Sequence, residues 1–247
     1  MKSSLSCALI AVVLAGGLCS VRAQTEGAPA AGATVSTDQQ KHADEKHTKP
    51  ILDALKLNDA AKEAKVRSIL VAHLNVLNAW HAQHDDQIKA LWNEFNQARS
   101  KQDETNANVA LAKIDGVYAS LKPEHQKFLS ELSAVLTSEQ VETVKDALTI
   151  YKVKITFNAY GEIFHGLTDE QKAFILKNLK AAREEAIDAG PMTEKSAFFK
   201  KYKIKIEAYL TAQGYDVKQS YRDFVAKQKG DAAAKKAAKT APTGEQK

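Results

Sequence analysis

Cysteine is almost missing from this chain of 247 residues: Cys7 and Cys19 are the only two, and both lie near its start. The rest of the chain can hold neither a disulfide nor a thiolate metal site, which excludes zinc fingers, cysteine proteases and CxxC redox domains. Proline and glycine are also sparse, 5 and 11 residues, too few for the many turns of a β-sandwich. Charge of one sign is lacking too, with 35 basic against 30 acidic residues. No basic stripe marks a nucleic-acid partner, and none is expected. A Walker loop, GxGxxG, a GxSxG elbow and HExxH are all absent. Nucleotide-dependent, nucleophilic-hydrolase and zincin chemistry therefore have no anchor.

What is present describes a foldable globular protein, 44% apolar and 26% charged. Lys2, an apolar run over residues 5–18 and Val21-Arg22-Ala23 have the layout of a cleaved signal peptide. The run is shorter than the ~20 residues that span a bilayer, so residues 1–23 are read as an address and the product as exported, periplasmic or extracellular. Lipidation at Cys19 is disfavoured by the bulky Leu18 before it. Residues 24–48, broken by Gly27, Pro29 and Gly32, read as a disordered linker. Residues 230–247 read as a disordered Ala/Lys-rich tail, leaving residues 49–229 as one all-helical domain.

Apolar periodicity sets the fold class as all-α. Val66, Leu70, His73, Leu77, Trp80, His84, Ile88, Leu91, Phe95 and Ala98 recur in steps of three and four, one stripe of a long helix. A second stripe runs through Ala107, Leu111, Ile114, Tyr118, Leu121, His125, Phe128, Leu132 and Val135, with Pro123 predicting a restart. The two stripes predict a long antiparallel hairpin, followed by a compact C-terminal helical unit, six or so helices in all. Thr137 with Gln140, and Thr168 with Gln171, have capping-box spacing. Gly190-Pro191 stops a helix, Thr193 is placed to cap the next, and Asp216 to cap the last. Tyr151, Val153, Ile155 and Phe157 alternate with polar residues and predict one short extended segment near 150–157. That segment would cross over helices, or else pair with a second copy in a homodimer.

Candidate chemistry is thin. No metal or cofactor is expected; His81, His84 and Asp85 alone have ligand-like helical spacing, and buried, hydrogen-bonded imidazoles explain the seam histidines as well. His42 and His47 lie in the linker. Glu184, Glu185 and Asp188 beside Arg183 read as a solvated, ion-paired helix face. Lys201, Tyr202 and Lys205 form a candidate face for an acidic glycan, or the wet side of an amphipathic helix.

Three stretches carry a resemblance: LSAVLTSEQVETVKDAL from Leu132, LTDEQKAFILKNLKAAREEAIDAG from Leu167, and FKKYKIKIEAYLTAQGYD from Phe199. Over roughly residues 50–220 the chain resembles the exported bacterial domain of unknown function 3826. Its members often occur among polysaccharide-utilisation proteins, which implies a glycan context and no particular site residue. Leu136 to Gln140 and Leu167 to Gln171 also resemble the motif of the LTxxQ periplasmic stress chaperones. The expectation is a non-enzymatic binding or chaperone-like protein of the cell envelope, with protein clients or a glycan as partner. The alternative is an accessory protein or enzyme of polysaccharide utilisation, which would need a pocket where acids converge.

Overall fold

The computed structural model describes residues 37–240, which form nine α-helices and one 3-10 turn with no strand among them. In order these are α1 (Thr37–Leu55), α2 (Ala60–Ser100), α3 (Glu104–Tyr118), the turn (Ala119–Leu121), α4 (Lys122–Ser133), α5 (Ser138–Leu148), α6 (Lys152–Ile163), α7 (Asp169–Ile187), α8 (Met192–Ala212) and α9 (Val217–Thr240). The chain divides into units 1–40 and 41–247; of the first, only the opening residues of α1 are described. The signal-peptide reading of residues 1–23, Cys19 included, lies outside the described residues. So do residues 24–36 of the linker and 241–247 of the tail. Residues 37–48 are helical where a linker was expected, and residues 230–240 continue α9.

The long hairpin is present as α2 and α3. Asp59 starts α2 by accepting hydrogen bonds from the Ala61 and Lys62 N–H groups at 2.9 and 3.0 Å, satisfying donors that a helix start leaves unpaired. At ~1.5 Å per residue, its 41 residues give α2 enough length to serve two cores. Near its start, Val66, Ile69 and Leu70 pack with Ile51, Leu52 and Leu55 of α1, Phe128 and Leu132 of α4, and Val144 of α5. Near its end, Ile88, Leu91, Trp92 and Phe95 pack with Ile114 of α3, Tyr160 of α6, Ile175 and Leu179 of α7, and Phe198 and Phe199 of α8. Pro123 falls in the first turn of α4, just after the 3-10 turn that interrupts the second stripe. Both expected capping boxes form, at Thr137 with Gln140 and at Thr168 with Gln171.

Between the cores the periodic reading shifts by one residue. His73, Leu77 and His81 are buried, whereas Trp80 and His84 are only half-buried. Here α2 faces the polar end of α7 instead of an apolar neighbour. A second correction concerns α8, which begins at Met192 with Pro191 as its cap, not Thr193.

The extended segment near 150–157 does not occur; residues 152–163 are helix α6. The alternation there is incidental to a helical stripe. Val153 and Tyr160 are buried with Phe157 packed beside them, and Ile155 faces water at 61% exposure. A lone strand has no ladder partner for its backbone groups, while the helix satisfies them internally. The strain falls on the turn before it: Ile150 and Tyr151 have φ of 52° and 51°, a left-handed region that costs L-residues roughly 1–2 kcal/mol each. Ile150→Gly should therefore stabilise the fold by about 1 kcal/mol, read as a higher urea midpoint at unchanged slope. A midpoint that stays or falls would show that this turn is unstrained.

Candidate functional site

The C-terminus of α7 ends inside the molecule, so its carbonyls need buried donors. Lys195 from α8 supplies one, its Nζ donating to the Ala186 and Ile187 carbonyls at 2.9 and 3.2 Å. Burial pulls this lysine down to about 8. His81 from α2 supplies another, with Nε2 2.8 Å from the Asp188 carbonyl oxygen.

These anchors place the Asp188 side chain between two further histidines. His125 Nδ1 of α4 lies 2.9 Å from Asp188 Oδ2, and His73 Nε2 of α2 lies 3.8 Å from Oδ1. Contact with the Asp188 carboxylate raises His125 above the usual imidazole range, against the opposing pull of burial. His73 stacks on Phe128 with ring centroids 3.8 Å apart. Its burial outweighs Asp188 and lowers it to about 4.

A cleft of about 340 Å³ opens beside this cluster. Asp115 and Tyr118 of α3 line it with Lys122 and His125 of α4; Glu184, Glu185 and Asp188 line it from the α7 side, and Phe198 from α8. Its carboxylates are held in place. Glu185 accepts hydrogen bonds from the Tyr202 hydroxyl at 2.7 Å and the Lys201 Nζ at 2.9 Å, and Lys201 also donates to Asp115 at 2.8 Å. Glu184 pairs with Lys145 at 3.0 Å and with Arg183 at 3.2 Å. The Arg183 side chain, 2% exposed, also donates to Asp146 and Glu142 at 2.6 and 2.7 Å. Burial and the Glu194 carboxylate raise the Tyr118 phenol.

A smaller cluster lies on the other side of Tyr118. His81, Asp85 and Glu194 present ligand atoms within 4.8 Å of one another. Of the residues with metal-like spacing, His81 and Asp85 therefore meet, and His84 turns away. Its Nδ1 bonds the Trp80 carbonyl at 2.8 Å and its ring stacks on Trp80. Glu194 replaces it, its Oε1 accepting from the Tyr118 hydroxyl and its Oε2 from the Gly190 N–H at 2.8 Å. Gly190 is needed for space: a Cβ there would stand 3.1–3.2 Å from Glu194 Oε2 and the His81 ring.

Of the expected ligand face, Lys201 and Tyr202 end on Glu185 at the cleft rim, while Lys205 is exposed one turn on. The solvated face expected of Glu184, Glu185 and Asp188 is not fully solvated: both glutamates are half-buried and Asp188 is buried at 8% exposure. Its only sequence signal is its position just before Gly190-Pro191, where a helix must stop with its carbonyls unpaired.

The two shifted histidines act on stability with opposite signs. An unfolded His73 takes up a proton below about 6.5 that the buried one refuses until about 4. It therefore costs stability as the pH falls through that window. His125 is raised, so its contribution is fully present below about 6.5 and is lost as the pH rises through its folded value. Between pH 7 and 4.5, melting temperatures of His73→Leu should fall less steeply than those of the parent. Those of His125→Gln should lack the gain on acidification from above pH 7. Parallel profiles for all three proteins would refute the assignment.

No curated protein matches the sequence. The model of the protein family of unknown function DUF3826 matches residues 41–230, a span that includes both cores and every side chain of the cleft and of the smaller cluster. The chain belongs to the DUF3826 family.

Proposed function

We propose that this chain is an exported binding protein that holds a small hydroxyl-rich ligand, one or two sugar units of a glycan, in the cleft beside Asp188. The carrying observation is the convergence of Asp115, Glu184, Glu185 and Asp188 with His125, Lys122 and the ring of Tyr118 around about 340 Å³. That volume lies at the lower end of the ~300–1,000 Å³ range of small-molecule sites. Sugar hydroxyls need planar acceptors fixed before the ligand arrives, and half-buried ion pairs hold Glu184 and Glu185 in place here, which lowers the side-chain entropy lost on binding. The acidic balance of the lining favours neutral or amine-bearing sugars over uronates, because Lys201 is already committed to Asp115 and Glu185. The family resemblance and the signal-peptide reading support a glycan context in the envelope.

A second reading is acid–base catalysis, favoured by one observation: His125 is backed by the Asp188 carboxylate, the arrangement of an oriented general base. A chaperone-like role draws support from Ile150, Tyr151 and Ile155, exposed together at the α5–α6 turn. By contrast, the large exposed apolar residues described on the α2–α3 hairpin, Val76 and Val109, stand apart.

Calorimetric titration with a panel of neutral, amino and uronic mono- and disaccharides tests the proposal. Saturable binding of a neutral or amino sugar is expected, weakened at least tenfold in Glu185→Gln and in Lys122→Ala with the circular dichroism unchanged. Absence of sugar binding, accompanied by suppression of client-protein aggregation, would replace this reading with the chaperone one.

A further inference from the structure

We propose that His81, Asp85 and Glu194 form a binding site for one divalent transition metal of nitrogen/oxygen preference, zinc or manganese. A neutral imidazole has one N–H, yet both nitrogens of His81 face atoms that only accept. Nε2 lies 2.8 Å from the Asp188 carbonyl oxygen. Nδ1 lies 2.9 Å from Asp85 Oδ1 and 4.0 Å from Glu194 Oε2. A buried backbone carbonyl can be satisfied only by a donor, so the proton belongs on Nε2. Nδ1 then faces two carboxylates, a position that only a positive centre satisfies: a second proton on the ring or a bound metal ion.

The surroundings have the form of a metal site. Metal-bound histidines commonly donate their other N–H to a backbone carbonyl, which fixes the tautomer and the ring. Asp188 plays that part. Ligand carboxylates are in turn oriented by outer donors, as Glu194 is by Tyr118 and Gly190. The Glu194 side chain is 7% exposed, and among the described residues no lysine or arginine pairs with it. Its charge is met only by those two hydrogen bonds, by the start of α8 and by the more distant Lys195, so a cation at Oε2 would add the direct partner that it lacks. Ligand atoms on bonds of ~2.1 Å sit roughly 3.0–3.4 Å apart, so the present 4.8 Å spread must contract. Asp85, its side chain 50% exposed and one turn from His81 on α2, can supply its share of that movement, and the 4.0 Å from His81 Nδ1 to Glu194 Oε2 must shorten as well. One imidazole with two carboxylates suits zinc or manganese better than magnesium or copper. Asp85 and Glu194 also line a second cavity, of about 250 Å³, from which water or a ligand could reach the metal.

The site is tested without sugar, so its failure and that of the sugar reading are distinguishable. Untagged full-length protein, stripped with a chelator, is titrated calorimetrically with zinc chloride, manganese chloride and magnesium chloride. One equivalent of zinc or manganese should bind, with magnesium at least tenfold weaker, and the bound metal should raise the melting temperature. Asp85→Asn and Glu194→Gln should each weaken binding at least tenfold. Asp85 faces solvent, so its variant keeps the fold and the test does not depend on the buried position. His42→Ala with His47→Ala should leave the affinity unchanged. No saturable binding would overturn the proposal. So would an affinity equal to the parent's in the two carboxylate variants, or loss of binding in the His42 and His47 double variant.

Discussion

The molecule depends on how one helix end is received. When α7 stops at Ile187, its last carbonyls point into protein, where water cannot satisfy them. Lys195 and His81 take two of those acceptors and the Asp188 carbonyl beside them. This joins the chain after α7 to the middle of α2, at the boundary between the two apolar cores. A polar layer in that place would be a liability if half-satisfied. Its cost is offset by donors drawn from helices far apart in sequence, and His73 Nε2, His125 Nδ1 and Asp188 Oδ1, buried without a well-formed hydrogen bond, gather around Asp188.

Tyr118 links the two regions of chemistry. Its ring lines the cleft while its hydroxyl donates to Glu194 on the far side. Whatever orders Glu194 therefore also orders one wall of the cleft. The acids of that wall resist movement because each is tied back: Glu185 to Lys201 and Tyr202, Glu184 to Lys145 and to Arg183 in its enclosed ion cluster. Such a cleft is shaped before any ligand reaches it.

Much of the architecture was legible because it is written locally. Three-and-four spacing in α2 and α3, the threonine–glutamine boxes and the Gly190-Pro191 stop are decided by residues within one or two turns. The failures have a common origin in tertiary context. The alternation at Tyr151 to Phe157 was outweighed by a stripe that continues to Tyr160, visible only once α6 had a neighbour to bury it. His84 lost its place on the stripe to His81 because α2 meets the end of α7 there. In the site, an i,i+4 pair such as His81 and Asp85 can be read along a helix. Glu194 cannot, since only the close approach at Gly190 brings α8 against α2.

The shared backbone of the two cores has one more consequence. Because α2 forms a wall of both, melting either end would strip apolar surface from a helix that the other end still holds straight. Undoing either core alone therefore carries a cost at the other, which favours unfolding of the two together. A poor substitution at one extremity is then felt as a lowered threshold for collapse of the entire bundle.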